Sequence, residues 1–252
     1  MHKFGLIGNP ISHSKSPALF KAAYPAGEFT YDLIQAPTCN KAMELFHANG
    51  YTGINITSPF KEEIMKYVTL PDRVTALMGC ANIAIKEGGE IKSYNSDYFG
   101  VKETLKEYLS GKEIESIKAM VIGAGGAGKA AALSCVDLGM ETILANRSAE
   151  KAEPYAKKIG AKYISLDQIP FYLKDTDLIV YSLSFRIDAL KDKPLEGKLF
   201  FEANYANPQF CNQKGIEYIS GKYWLYNQAI PAFKLFTGKE PDTKAMKEIM
   251  GL

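Results

Sequence analysis

The segment Val121-Ile122-Gly123-Ala124-Gly125-Gly126-Ala127-Gly128-Lys129 carries glycines at G-x-G-x-x-G spacing, directly after an apolar run and at the opening of an Ala-rich stretch. A strand that turns tightly into a helix uses glycine in this way. Gly123 makes the turn, Gly125 lets backbone approach a pyrophosphate, and Gly128 lets the helix pack close to the strand. The phosphate would rest at the helix N-terminus, where N–H groups without intrahelical partners and the positive dipole end favour an anion. Such glycines can also close a purely structural loop. Here the neighbouring pattern predicts a strand at Lys118–Ile122, a helix at Gly125–Leu138, a strand at Glu141–Ala145, a helix at Ala149–Ile159, and further strands at Leu178–Tyr181 and Lys198–Phe201. That is a mononucleotide-binding βαβ series, and dinucleotide binding is the expectation.

The strand Glu141–Ala145 runs into Asn146-Arg147-Ser148. A fold of this type that takes NAD places an acid there for the ribose 2′-hydroxyl, whereas an arginine suits a 2′-phosphate. NADP is therefore the expected cofactor, with Arg147 on the phosphate and Lys151, one helical turn on, as either a second cation or a solvated lysine.

The rest of the chain repeats the alternation. Phe4–Gly8, Phe29–Ile34 and Gly53–Ile56 read as strands; Pro17–Tyr24, with Ser16 as N-cap, and Asn40–Ala48 read as helices. A helix from Asp97 to about Tyr108 carries Val101, Leu105 and Leu109 on one stripe and stops at the Ser110-Gly111 break, a candidate junction. Tyr223–Phe236 and Asp242–Met250 read as closing helices. The alternation predicts an α/β protein with mostly parallel sheet, and 252 residues suit two domains.

At 46% hydrophobic and 23% charged, with a net charge of +2 (30 basic against 28 acidic residues), the composition is that of a soluble globular protein without a polyanion-binding face. No nucleic-acid partner is expected. Four scattered cysteines and three histidines form no metal-ligand spacing, so no metal is expected and a reducing cytoplasm fits best. The first residues lack a long apolar core with a small-residue cleavage site, and no apolar run reaches membrane-spanning length, so neither export nor membrane insertion is expected.

Polar loops follow the early strands: Gly8-Asn9-Pro10-Ile11-Ser12-His13-Ser14-Lys15-Ser16-Pro17, then Asn55-Ile56-Thr57-Ser58-Pro59-Phe60-Lys61, Cys80-Ala81-Asn82-Ile83, and Asn95-Ser96-Asp97-Tyr98-Phe99-Gly100. Hydroxyls clustered at a helix N-terminus suit a small carboxylate. Together with the glycine loop, Asn146-Arg147-Ser148 and a late Trp224-Leu225-Tyr226-Asn227-Gln228, these segments in order resemble the shikimate dehydrogenase family. Its pattern runs G-N-P-I-x-H-S-x-S-P, N-V-T-x-P-x-K, A-V-N-T, N-T-D-x-x-G, G-A-G-G-A, N-R-T/S and G-x-x-M-L-x-x-Q, and the likeness spans residues 4 to 240.

The resemblance implies a two-domain α/β architecture, an N-terminal α/β substrate domain (1–98 plus about 222–252) and a Rossmann-type NADP-binding domain (99–221). It implies that Ser14 and Ser16 hold a substrate carboxylate, that Thr57, Asn82, Tyr205 and Gln228 bind ring hydroxyls, and that Lys61 and Asp97 form the catalytic pair. Gly123, Gly125, Gly126, Ala127 and Gly128 would cradle the pyrophosphate, and Asn146, Arg147 and Ser148 would read the adenosine phosphate. The implied activity is NADPH-dependent reduction of 3-dehydroshikimate to shikimate in aromatic amino-acid biosynthesis, by a monomer or homodimer. A quinate/shikimate dehydrogenase and a non-catalytic dinucleotide-binding regulator are the alternatives. The chain departs from the pattern at Tyr181-Ser182-Leu183-Ser184-Phe185-Arg186-Ile187, where the family reads N-A-T-P-x-G-M, and at Trp224, where it has Met.

Overall fold

A computed structural model describes residues 2–252, which divide into two compact units: unit 1 ends at Ser96 and resumes at Tyr226–Leu252, and unit 2 is Asp97–Leu225. The chain builds β1 (His2–Gly8), α1 (Ser16–Ala23), β2 (Phe29–Gln35), α2 (Cys39–Ala48), β3 (Gly53–Ile56), β4 (Leu70–Pro71), α3 (Arg73–Met78), β5 (Ile83–Glu87), β6 (Glu90–Tyr94) and α4 (Ser96–Tyr108). There follow β7 (Lys118–Ile122), α5 (Gly126–Asp137), β8 (Glu141–Ala145), α6 (Ala149–Ile159), β9 (Lys162–Ile164), α7 (Ile169–Tyr172), β10 (Leu178–Tyr181), β11 (Leu199–Glu202), β12 (Glu217–Ser220), α8 (Gly221–Thr237) and α9 (Thr243–Met250). The units divide inside α4, N-terminal to the Ser110-Gly111 break, and inside α8. Among the described residues no helix is long and apolar enough to cross a membrane.

The sheet of unit 1 has the order β2-β1-β3-β5-β6-β4. Its first three strands are parallel, and β5 and β6 add an antiparallel hairpin. The hairpin turns at Gly88-Gly89, with φ of +59° and +89°, the left-handed pair of a tight two-residue turn. Two glycines between apolar alternations are themselves a hairpin signal, one that a reading for βα units alone does not use. Ile7, Ile54 and Ile56 face Met43 and Phe46 of α2 in one core. On another side, Phe4 stacks on Phe236 at 5.0 Å and Phe20 meets Phe233 edge-on at 4.9 Å, so the C-terminal half of α8 belongs to unit 1. Thr38, Asp72 and Asp242 cap α2, α3 and α9 through their side chains. The expected N-cap Ser16 is instead the first helical residue of α1; Lys15 takes the cap position without a side-chain bond.

Unit 2 is an all-parallel sheet, β12-β11-β10-β7-β8-β9. From the β9 edge, this is the third, second, first, fourth, fifth and sixth strand of the unit, the doubly wound order whose ligand crevice lies outside the C-terminal ends of the two middle strands. Those strands are β7 and β10. At the end of β7, Gly123 has φ +103°, and a Cβ on it would lie 2.5 Å from Ser182 Oγ. A Cβ on Gly128 would lie 1.9 Å from the Gly123 carbonyl oxygen, so α5 seats on the turn through bare backbone. Replacing Gly128 with Ala forces that contact apart; we expect a loss of about 3 kcal/mol in urea denaturation, with little change in the slope of the transition.

Candidate active site

In unit 2 the glycine turn leaves one position open. Gly125 is the N-cap of α5, with no side-chain cap bond, and a Cβ there would meet nothing within 4 Å. Gly123 and Gly128 thus serve packing, while Gly125 keeps space clear over the helix N-terminus, flanked by the half-buried Gly126 and Ala127. The end of β8 braces this turn. Gly123 N–H donates to Ala145 O at 2.8 Å, and Ala124 N–H donates to Asn146 Oδ1 at 3.2 Å. Asn146 Nδ2 in turn donates to Ser148 O at 3.0 Å, so Asn146 spends its side chain holding loop to loop. Arg147, Ser148 and Lys151 stand exposed on the same edge, where cations and a hydroxyl can meet an anion.

The stretch after β10 is tied down by its own bonds. Tyr181 OH donates to Phe185 O, and Ser182 Oγ donates to Ile122 O at 2.9 Å. Arg186 lies over the Phe210 ring at 4.3 Å and donates to Gln209 O at 3.1 Å and Gln213 Oε1 at 3.0 Å. These contacts leave the Phe185 ring 59% exposed beside the crevice strands. Tyr205 also lies in unit 2, on the loop after β11, and burial raises its phenol pKa, so it stays a neutral hydroxyl. Glu202, fully buried, organises that loop by accepting from Gln209 N at 2.6 Å, Phe210 N at 3.1 Å and Tyr218 OH at 3.0 Å. Asp97 is in the first turn of α4, buried, and accepts from Trp224 Nε1 at 3.2 Å.

In unit 1 most of the substrate-side candidates join one polar network. Ser14 Oγ accepts from Ser16 N and donates to Ser16 Oγ, both at 3.2 Å. Tyr31, reached by Ser16, has its phenol pushed far above the usual range by burial, with Ser16 pulling the other way; it remains protonated and donates to Asn55 Oδ1 at 2.7 Å. Asn55 Nδ2 donates to Asn82 O at 3.3 Å. The Asn82 carboxamide is held at both ends: Nδ2 donates to Gln228 Oε1 and Ser96 Oγ, both at 3.1 Å, and Oδ1 accepts from Ser96 N at 2.7 Å. Thr57 and Lys61 sit beside it on the loop after β3. Thr57 N–H donates to Ile7 O at 2.9 Å, and the Lys61 carbonyl accepts from Ala81 N at 2.8 Å, holding the lysine loop against the residue before Asn82. Gly8 lets the first loop approach: a Cβ there would lie 2.4 Å from Thr57 Cγ2.

Two family profiles match the chain, one described as the shikimate dehydrogenase substrate binding domain over residues 6–84 and one as shikimate / quinate 5-dehydrogenase over residues 104–198. The NADP(+) shikimate dehydrogenase of Natronomonas pharaonis is 32% identical, over 99% of this chain and 98% of its own. That of Methanococcoides burtonii is 32% identical, over 97% and 96%. The chain belongs to the shikimate dehydrogenase family. A family member from Thermus thermophilus, solved with NADP(H) and shikimate, superposes with a TM-score of 0.83 at 25% identity, over 100% of this chain and 99% of that one.

In this chain Tyr31 and Glu202 take part in the polar scaffold together with Asn55 and Ser96, which lie within the polar loop motifs but carry no assigned role there. Asn55 stands between Ile54 and Ile56 in β3, an alternation the sequence displays, whereas Tyr31 lies between Thr30 and Asp32 in β2 and carries no such mark. Replacing Asn82 with Ala strands the buried Ser96 N–H and removes the Gln228 contact. A stability loss of about 2 kcal/mol is expected, read as a lower urea midpoint.

Proposed function

We propose that this member of the shikimate dehydrogenase family reduces 3-dehydroshikimate to shikimate reversibly with NADPH, in the cytoplasm, as a monomer or homodimer without nucleic-acid or membrane partners. The observation that carries the reading is the hydroxyl-and-amide network of unit 1, from Ser14 to Gln228, which offers donors and acceptors at the density a polyhydroxylated ring acid requires. Ser14 and Ser16 bind the carboxylate at the start of α1, while Thr57, Asn82, Gln228 and Tyr205 bind ring hydroxyls.

The residues of unit 2 fit NADP. Open space at Gly125 over an uncapped helix start suits a pyrophosphate, with Gly123, Gly126, Ala127 and Gly128 shaping the turn. Arg147, Ser148 and Lys151 present cation and hydroxyl to the 2′-phosphate, and Asn146 holds them to the loop. The reduced nicotinamide supplies a hydride to the ring ketone. As the ketone oxygen gains charge, the Lys61 ammonium stabilises it and delivers the proton; in the reverse direction the neutral amine takes that proton. Asp97 orients the ammonium. No histidine is needed, and His13 stays exposed on the first loop.

Turnover is followed at the absorbance of reduced nicotinamide with shikimate or quinate and NADP or NAD. Shikimate with NADP is the expected best pair, quinate as the better substrate would move the protein to the related quinate activity, and no turnover with any pair would leave a dinucleotide-binding regulator. Lys61→Ala is expected to lower kcat by about 10²–10⁴-fold while the Kd for NADPH, measured by fluorescence titration, stays within twofold. For Arg147→Ala we expect the KM for NADPH to rise roughly 10–100-fold, with that for NADH nearly unchanged, because only the former carries the 2′-phosphate.

A further inference from the structure

Trp224, the single tryptophan of the chain, lies near the start of α8 within unit 2 and is 4% exposed. Its indole Nε1–H donates to Asp97 Oδ1 at 3.2 Å, in a buried contact between residues 127 apart in sequence. Asp97 is likewise 4% exposed. A carboxylate withdrawn from water must be met by donors, and each donor also fixes its rotation. The indole N–H is a donor only: it has no lone pair to accept a proton and does not titrate near neutrality. It therefore cannot share in acid–base chemistry, and what it can do is hold one carboxylate oxygen in place.

The ring that carries this N–H is itself held. Phe201, fully buried in β11, packs against Trp224 with centroids 5.4 Å apart and planes inclined at 53°. The carboxylate is thereby referenced to an interior strand of the parallel sheet. On the other side of Asp97 along the chain, Ser96 N–H is fixed by Asn82 at 2.7 Å. The backbone of the preceding residue is thus held by a carboxamide, and the aspartate's own side chain by an indole.

We propose that Trp224 is a positioning residue for Asp97, its N–H fixing one carboxylate oxygen so that the other keeps the orientation the reaction requires. This rests on the role given to Asp97 above. A tryptophan that served only as apolar filling would owe nothing to its N–H.

The test compares wild type, Trp224→Phe, and the protein with benzothienylalanine at position 224, which keeps the bicyclic shape and loses only the N–H; Asp97→Asn is assayed beside them. Both N–H-free variants are expected to lose about 10–100-fold in kcat, the scale of a misplaced catalytic group, with KM for shikimate and NADP+ within twofold of wild type. The benzothienylalanine protein is also expected to keep the wild-type melting temperature, so that its kcat decides the matter even where Trp224→Phe folds poorly. Wild-type kcat in the benzothienylalanine protein, while Asp97→Asn is impaired, would overturn the positioning role alone. Wild-type protein without turnover, or Asp97→Asn with wild-type kcat, would overturn the reading of Asp97 on which it rests.

Discussion

Everything that unit 2 presents at the C-terminal edge of its sheet depends on α5 reaching the end of β7 with no side chain in between. A methyl group at Gly128 would sit 1.9 Å from the Gly123 carbonyl oxygen, well inside any permissible contact. Because the helix seats on backbone, its first N–H groups arrive at the crevice between β7 and β10, where the strand order reverses. Gly125 then leaves that position uncovered. Asn146, bonded to Ala124 N and Ser148 O, couples the turn to the end of β8, so Arg147 is presented from a braced loop.

Unit 1 solves a related problem with side chains. Its parallel strands β1 and β3 deliver two polar loops to one edge, and the chain must keep those loops in register with the β5 strand that Asn82 precedes. The Asn82 carboxamide does this with three bonds that end on two other segments: the start of α4, through both the N–H and hydroxyl of Ser96, and α8, through Gln228. A buried amide bonded in this way resists rotation, because turning it leaves donors unpaired. Tyr31, kept neutral by burial, extends the network to the serines at α1.

Buried charge is used in the same way in unit 2. Glu202 spends both carboxylate oxygens on the loop that carries Tyr205, and Asp97 receives the indole N–H of Trp224. Burial makes each of these bonds obligatory, since the carboxylate has no water to fall back on. The segment Tyr181–Ile187, which departs from the family pattern, is likewise pinned by Tyr181, Ser182 and Arg186, so the substitutions there come with their own partners.

How much of this is legible in the chain follows from range. The βαβ series, the tight turn at Gly123 and the candidate roles of Arg147 and the glycines are readable because they depend on neighbours within one turn or one strand, where glycine, apolar period and charge act locally, whereas a role for Lys61 comes only with the ordered motifs. Ordered motifs extend that reading to the family and its activity. The N-cap expected at Ser16 falls one residue earlier, at Lys15, which makes no side-chain cap bond. The β5–β6 hairpin is announced only by Gly88-Gly89, a two-residue turn signal inside an otherwise βα-like alternation. What only the tertiary structure decided is the partner of each buried polar group: Asn82 with Gln228, Tyr31 with Asn55, Trp224 with Asp97. Such pairs join residues far apart in sequence, and a lone asparagine or tryptophan carries no mark of its mate, because burial and packing, rather than local propensity, select the donor each acceptor meets.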